Sequence, residues 1–355
     1  MTPKSIKIWN SNQNSELTYK SIPKNTIERV NKTKNIYKDS TMSMKKLKRR
    51  DFLKLGGFLT AGMFLPDSFT SVFAEGLEII QEGKVKIVWI QGQSCSGCSV
   101  SLLNSNDPEP FDLLTKVISL VFHQTVGAAQ GHTAMDVLAK LERMKGYILV
   151  IEGSIPDKIP EACMIDSRPI SVILERLIPN ASYVLAAGTC AAFGGIPGAE
   201  GNSTGAISTE AFMKKNGMPI KNRLLNIPSC PCHPKSIVGT LAYLAVKGYP
   251  QKINTNLLTP NMFYGVSTHD ECPRYHYYER KMFAKYLGDP KGCLFKLGCL
   301  GQISYTNCPH RQWNGGVNWC IRAAAPCIGC SSPDFAKRKD YPFYRKNEHN
   351  LDDNI

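Results

Sequence analysis

The sequence predicts an α/β protein: a doubly wound parallel sheet, followed by a small loop-rich domain held together by metal. Three observations predict this. Short β-rich apolar segments alternate with helical patterns between about residues 84 and 247. Groups of cysteines stand just past the carboxyl ends of those segments. From about residue 251 regular periodicity falls, Gly, Pro and aromatics rise, and soft metal ligands become dense.

At the amino end, residues 1–41 are polar, rich in Lys and Asn, and without periodicity. They read as disordered or as an over-extended start ahead of Met42 and Met44. Residues 42–74 then read as a signal peptide. Lys48-Arg49-Arg50-Asp51-Phe52-Leu53-Lys54 precedes an apolar run from Leu55 to Leu65, and Val72-Phe73-Ala74 offers a cleavage site. The paired arginines resemble a twin-arginine signal, a route that exports folded proteins and suits a chain loaded with metal beforehand. A periplasmic location is expected. The apolar run is too short to span a bilayer.

The net charge of +14 is mostly leader. Residues 1–50 hold 13 Lys/Arg against 3 Asp/Glu, which leaves the rest of the chain near +4. No basic patch interleaved with aromatics points to nucleic acid, so no nucleic-acid partner is expected.

Residues 75–250 make the predicted sheet domain. The strands are Lys84–Ile90, Gly146–Glu152, Ala181–Ala187 and Leu224–Ile227. Helical patterns run over Pro110–Leu120, Ala134–Met144, Pro169–Ile178 and Lys235–Lys247. Open parallel sheets carry their ligands at the carboxyl edge. Cys95, Cys98, Cys190 and Cys230 all follow strand ends, so that edge can gather them although they are far apart in sequence. Cys230 directly follows its strand and is preferred to Cys232, while Cys163 stands alone and reads as a buried thiol. Gly92, Gly97, Gly194 and Gly195 surround the same edge and would let backbone approach a cluster. Glu152, at a strand end there, reads as part of a proton path, as a binder of a partner's backbone, or as a solvated carboxylate. No G-x-G-x-x-G lies between strand and helix to suggest a dinucleotide.

Residues 251–355 carry eight more soft ligands: His269, Cys272, Cys293, Cys299, Cys308, Cys320, Cys327 and Cys330. Eight is what two cubane clusters need. A helix over Arg274–Leu287 is expected after Cys272. Cys320 supplies the fourth thiolate of the last group; without it that group holds only a three-iron cluster. Trp313, Trp319 and Phe335 are expected to shield it from water.

At these residues the chain strongly resembles the small subunit of periplasmic uptake-type nickel–iron hydrogenases, from about Lys84 to Tyr344. The likeness rests on Cys95-Ser-Gly-Cys98-Ser-Val-Ser-Leu-Leu-Asn, Gly188-Thr-Cys190-Ala-Ala-Phe-Gly-Gly, Pro228-Ser-Cys230-Pro, His269-x-x-Cys272-Pro-Arg, Gly298-Cys299-x-Gly and Pro326-Cys327-Ile-Gly-Cys330. The resemblance implies a flavodoxin-like domain with a proximal cluster on Cys95, Cys98, Cys190 and Cys230. It implies a C-terminal domain with a distal cluster on His269, Cys272, Cys293 and Cys299, and a medial one on Cys308, Cys327 and Cys330. Many members have proline where Cys320 stands. Cys320 resembles the nickel–iron–selenium branch, where all three clusters are four-iron (4Fe–4S) cubanes; the alternative is a three-iron medial cluster. Gly97 and Gly195 stand where oxygen-tolerant members carry extra cysteines. Cys232 replaces a usual proline.

By the same resemblance the partners are a large subunit bearing the nickel site and a c- or b-type cytochrome as electron acceptor. The polar tail from Tyr344 to Ile355 has no counterpart of the family's membrane anchor, so membrane association is expected only through partners. Two other readings stay open at this level. One is an electron-carrying subunit of a respiratory complex, which adjacent cysteines would favour; the sequence has none. The other is a secreted binding protein stapled by disulfides or zinc.

Overall fold

The structure, a computed structural model, describes residues 86–106, 109–113 and 119–337. The expected leader and signal peptide and the polar tail lie outside the described residues.

Five parallel strands form the central sheet: β1 Lys86–Gln91, β2 Ser119–His123, β3 Tyr147–Glu152, β4 Ala181–Ala187 and β5 Leu224–Ile227. Their spatial order is β2-β1-β3-β4-β5. That is the flavodoxin-like doubly wound order, and it borders a ligand crevice where the strand order reverses. Strand residues alternate between two buried layers, as a period of two requires. Ile87, Trp89, Ile148, Val150, Leu185 and Leu225 face one layer, with Leu102, Ile237, Leu241 and Phe263. Val88, Ile90, Leu149, Ile151, Val184 and Leu224 face the other, with Leu138, Ile173, Leu174 and Phe212.

The covering helices are α1 Gly97–Leu103, α2 Gly131–Leu141, α3 Ile170–Leu177, α4 Gly188–Phe193, α5 Thr209–Lys215 and α6 Pro234–Lys247. Proline at its first position suits α6, because that N–H has no partner within the helix. The first layer takes its apolar face, with Ile237, Val238, Leu241, Ala242 and Leu244 buried there.

Two sequence expectations are corrected here. The helix expected over Pro110–Leu120 is a single turn, Pro110–Asp112, and the chain then enters β2, which the sequence reading missed. β2 is an edge strand, half-buried over its first three residues. Its Ser-Leu-Val-Phe-His pattern therefore lacks the continuous apolar run of an inner strand. The helix expected over Arg274–Leu287 is only α7, Tyr275–Glu279. Lys281 turns the chain with a positive φ of 57°. Cys293 N then donates to Met282 O at 2.8 Å, and Ala284 N donates to Cys293 O at 2.9 Å. Pairing with the Cys293 segment ends the helix.

Beyond Gly265 regular structure is sparse: α7, the short α8 Cys308–Arg311, and single 3₁₀ turns. This region has its own small apolar cluster of Ala284, Leu294, Cys299, Trp319, Ile321 and Cys327. Polar ties fasten it to the sheet domain. His233 Nε2 donates to Gln312 O at 2.8 Å, Asn104 Nδ2 donates to Asn314 Oδ1 at 3.0 Å, and Thr189 Oγ1 donates to Cys330 O.

Candidate metal centres

The carboxyl edge of the sheet is level. Gln91 pairs with Glu152, Glu152 with Ala187, and Ala187 with Ile227. The loops after β1, β4 and β5 therefore leave the sheet side by side, and adjacent strands lie about 4.8 Å apart. These loops bring Cys95, Cys98, Cys190 and Cys230 together. Burial pushes the Cys190 and Cys230 thiols up, Cys230 to about 11, and the sulfurs raise one another: Cys95 acts on Cys190, and Cys190 and Cys95 on Cys230. Cys98 is pushed well up by burial, then by Cys232 and Glu152.

Glycines make the space these sulfurs occupy. A Cβ on Gly188 would stand 2.5 Å from Cys98 Sγ, one on Gly195 2.8 Å from Cys190 Sγ, and one on Gly97 3.0 Å from Cys95 Sγ. The sequence reading picked out Gly97 and Gly195. It missed Gly188, whose signal was its place between a strand end and Cys190, where a positive φ (here 83°) turns the chain. Gly92 serves the sheet instead: its Cβ would meet Ser154 O.

Glu152 is 1% exposed, which overturns the solvated reading. Its carboxylate takes hydrogen bonds from Trp89 Nε1 (3.0 Å), Gln91 Nε2 (3.3 Å), Ser94 Oγ (2.9 Å), Ser99 Oγ and the backbone N of Cys98 (3.0 Å). Ser94 Oγ already accepts from Ser96 N, and Ser99 Oγ from Gln91 Nε2, so both hydroxyls donate to Glu152. Only donors face the two oxygens, the pattern of an ionised carboxylate. His123 extends this network. Its Nδ1 accepts from Thr125 N and Val126 N, so the proton is on Nε2, which donates to Ser99 Oγ at 3.0 Å. Burial pulls His123 down to about 4 and keeps the ring neutral. A negative charge is thus fixed directly behind Cys98.

Cys308, Cys320, Cys327 and Cys330 all line one cavity of about 810 Å³, together with Cys230, Trp313 and Trp319. Phe335 is buried but does not line it. Cys320 is exposed, and it opens onto this cavity. Burial, with the neighbouring Cys308, Cys320 and Cys230, pushes Cys330 up to about 12.

His269, Cys272, Cys293 and Cys299 line a smaller cavity with Arg274 and Tyr275. Arg274 Nη1 is held by Asp289 O and Gly292 O at 3.0 and 2.9 Å, and its backbone N donates to Cys272 Sγ at 3.4 Å. Tyr275 and Tyr278 stand edge-on to the His269 ring, at 5.0 and 4.6 Å. Burial lowers the His269 pKa, so the ring is neutral and free to bind through a nitrogen lone pair.

The three groups touch at two junctions. Cys327 N donates to Cys299 Sγ at 3.4 Å. Cys230, from the sheet edge, lines the same cavity as Cys330.

The donor sets fit a group larger than one ion. Among the described residues no three His, Cys, Asp or Glu side chains close on a point as a single metal needs. Tetrahedral zinc would draw its sulfurs to within about 3.8 Å of each other. Here four soft donors instead surround a space, with glycines clearing room for the sulfurs. All thirteen cysteines are free, so no disulfide framework forms. Cys232 is fully buried and lines neither cavity; its N donates to Cys98 Sγ at 3.4 Å, and its thiol donates to His233 O at 3.9 Å. Cys163 is partly buried against the sheet's second layer.

Comparison with known proteins decides among the sequence readings. Residues 264–344 match the C-terminal family of NiFe/NiFeSe hydrogenase small subunits, and residues 95–244 match the family of the NADH ubiquinone oxidoreductase 20 Kd subunit. The periplasmic NiFeSe hydrogenase small subunit of Desulfomicrobium baculatum is 37% identical over 319 residues, covering 84% of this chain and 98% of that protein. The chain belongs to the NiFe/NiFeSe hydrogenase small subunits. Hydrogenase-2 small chain of Escherichia coli K12 is 35% identical over 294 residues, covering 80% of this chain and 76% of that one. A solved NiFeSe hydrogenase structure from Desulfovibrio vulgaris Hildenborough superposes with a TM-score of 0.68 at 40% identity, covering 74% of this chain and 97% of that chain. Small subunits of this family carry iron–sulfur clusters and pair with a large subunit that holds the active site. The respiratory-subunit match stops at residue 244, short of the whole cysteine-rich C-terminal region of this protein. No helix among its described residues is long and apolar enough to cross a membrane.

Proposed function

We propose that this small subunit removes electrons from the large subunit's nickel site as H2 becomes two protons and two electrons, reversibly, and passes them through three four-iron clusters. Cys95, Cys98, Cys190 and Cys230 hold the proximal cluster. Cys308, Cys320, Cys327 and Cys330 hold the medial one, and His269, Cys272, Cys293 and Cys299 the distal one. The clusters supply one-electron redox centres; the chain sets their spacing, burial and surroundings.

The junction contacts carry this reading. Cys230 of the first group lines the cavity of the Cys330 group, and Cys327 N–H of that group donates to Cys299 Sγ of the next. They order the groups as a row, with the proximal and distal ones at its ends. The imidazole end is the exit, where Tyr275 and Tyr278 lie half-buried around His269. A c- or b-type cytochrome is the acceptor there. Export by the twin-arginine route places the complex in the periplasm.

Cys320 on the shared cavity supports a four-iron medial cluster, as in the NiFeSe branch. Gly195, at φ 51° and against Cys190, leaves no room for an extra cysteine there, which supports a conventional proximal cluster.

The test separates catalysis from conduction. In the purified two-subunit enzyme, Cys272→Ala should leave exchange of D2 with solvent protons intact while H2-dependent reduction of a cytochrome falls by about 10²-fold or more. Equal loss of both activities would refute the role of a wire.

A further inference from the structure

Arg311 is the only Lys or Arg that is buried among the described residues, at 4% exposure. Its Nη1 donates to Ser236 Oγ at 2.8 Å, its Nε donates to Asn307 Oδ1, and its Cζ lies 4.6 Å from the centroid of Phe263. All three partners are neutral. Among the described residues no carboxylate pairs with it. A guanidinium taken out of water among neutral groups is strongly unfavourable, and guanidinium does not escape by losing its proton. Its counter-charge must come from elsewhere.

Cys308, a proposed ligand, lies one turn back on α8, where side chains three apart share a face. The Tyr264 hydroxyl and the Cys232 thiol also neighbour it, but burial pushes both well up, so neither supplies a charge. Burial pulls Arg311 down to about 10, and Tyr264, Cys308 and Cys232 oppose the pull. The guanidinium thus stands on the sheet-edge side of the medial group. Glu152, behind Cys98, gives the proximal group the opposite charge.

We propose that Arg311 is the buried counter-cation of the medial cluster and holds its reduction potential up. This rests on the proposed medial ligands, Cys308, Cys320, Cys327 and Cys330. A fourth thiolate adds negative charge and makes a further electron less welcome; a fixed cation offsets it. With the Glu152 carboxylate at the proximal cluster, the pair forms an electrostatic step that favours passage of an electron from proximal to medial. Arg311 is a positioning residue: it acts through charge and touches no substrate.

The test is an EPR-monitored redox titration of the purified two-subunit enzyme. Arg311→Met should lower the medial cluster's reduction equilibrium about tenfold or more, which is about 59 mV for one electron. Arg311→Lys, which keeps the charge, should shift it much less. Ser236→Asp leaves the guanidinium in place and sets a carboxylate on Nη1, so it should also lower the potential; it decides the matter if Arg311→Met fails to assemble. Proximal and distal potentials should hold. An unchanged medial potential in Arg311→Met or Ser236→Asp, with iron content and all three signals intact, overturns the proposal. So does an equal shift in Arg311→Met and Arg311→Lys, which would mark a geometric effect. A wild-type enzyme without a medial signal would instead sink the ligand assignment beneath it.

Discussion

The sheet domain and the region beyond Gly265 hold their sulfurs by different means. In the first, strands buried on both faces set four loop exits level, and the cysteines ride on a large apolar core to which only one of the four, Cys98, belongs. In the second, the apolar cluster is small, and two of its members, Cys299 and Cys327, are themselves proposed ligands. A core this small cannot offset the entropy of ordering so many loop residues. The difference teaches that the proposed proximal cluster is a guest of a fold, while the two clusters proposed beyond Gly265 would be the reason their fold exists.

The strongest way to break this contrast is to remove the iron. Chelation under reducing conditions should leave amide protection in β1, β3 and β4 nearly unchanged. Protection between Gly265 and Lys337 should fall on the order of 10³-fold, as followed by hydrogen–deuterium exchange. Equal retention in both regions would show that the C-terminal fold stands without metal.

How much of this was legible in the sequence follows the same division. β4 and β5 ran to the residues expected, because largely buried parallel strands are mostly apolar runs, here with glycine or proline at their ends. β2, half-buried over its first three residues, lacked that signal. The cysteine groups were legible as well: the structure brings the first four to one edge and lines one cavity with each of the other quartets. The charges behind them were not. Glu152 at a strand end looks like any solvated carboxylate until Trp89, Ser94 and Ser99 are seen around it. Arg311 looks like a surface cation until Ser236 and Phe263, from distant segments, are seen to cover it. Burial of a charge is set by tertiary packing, which local periodicity does not encode. The overlong helix after Cys272 failed for a related reason, since its end is dictated by pairing with Cys293.

A single methyl group sharpens the contrast on the sheet side. Gly195→Ala should cost about 1–2 kcal/mol for its left-handed backbone. It should also abolish the proximal cluster's EPR signal, because the new Cβ meets Cys190 Sγ at 2.8 Å. Gly217→Ala is the control: its φ is also positive, at 63°, but nothing lies within 4 Å of the new Cβ. It should carry the same backbone cost and keep every cluster. Loss of the proximal signal in both variants would point to general destabilisation instead of crowding at the sulfur.

The smallest expected effect lies in the metal-held region. Cys320→Pro should convert the medial cluster to a three-iron form, seen as a new EPR signal on oxidation and loss of about one iron atom. Folding and the other two clusters should persist, since three thiolates still hold the site. Iron content and spectra identical to the wild type would remove Cys320 from the ligand set.

The most direct test of three filled quartets is Mössbauer spectroscopy of the isotopically enriched two-subunit enzyme. The account requires about twelve iron atoms per small subunit in cubane environments, with one site in twelve perturbed by imidazole ligation at His269. About eight such atoms, or a spectrum with no nitrogen-ligated iron, would contradict it.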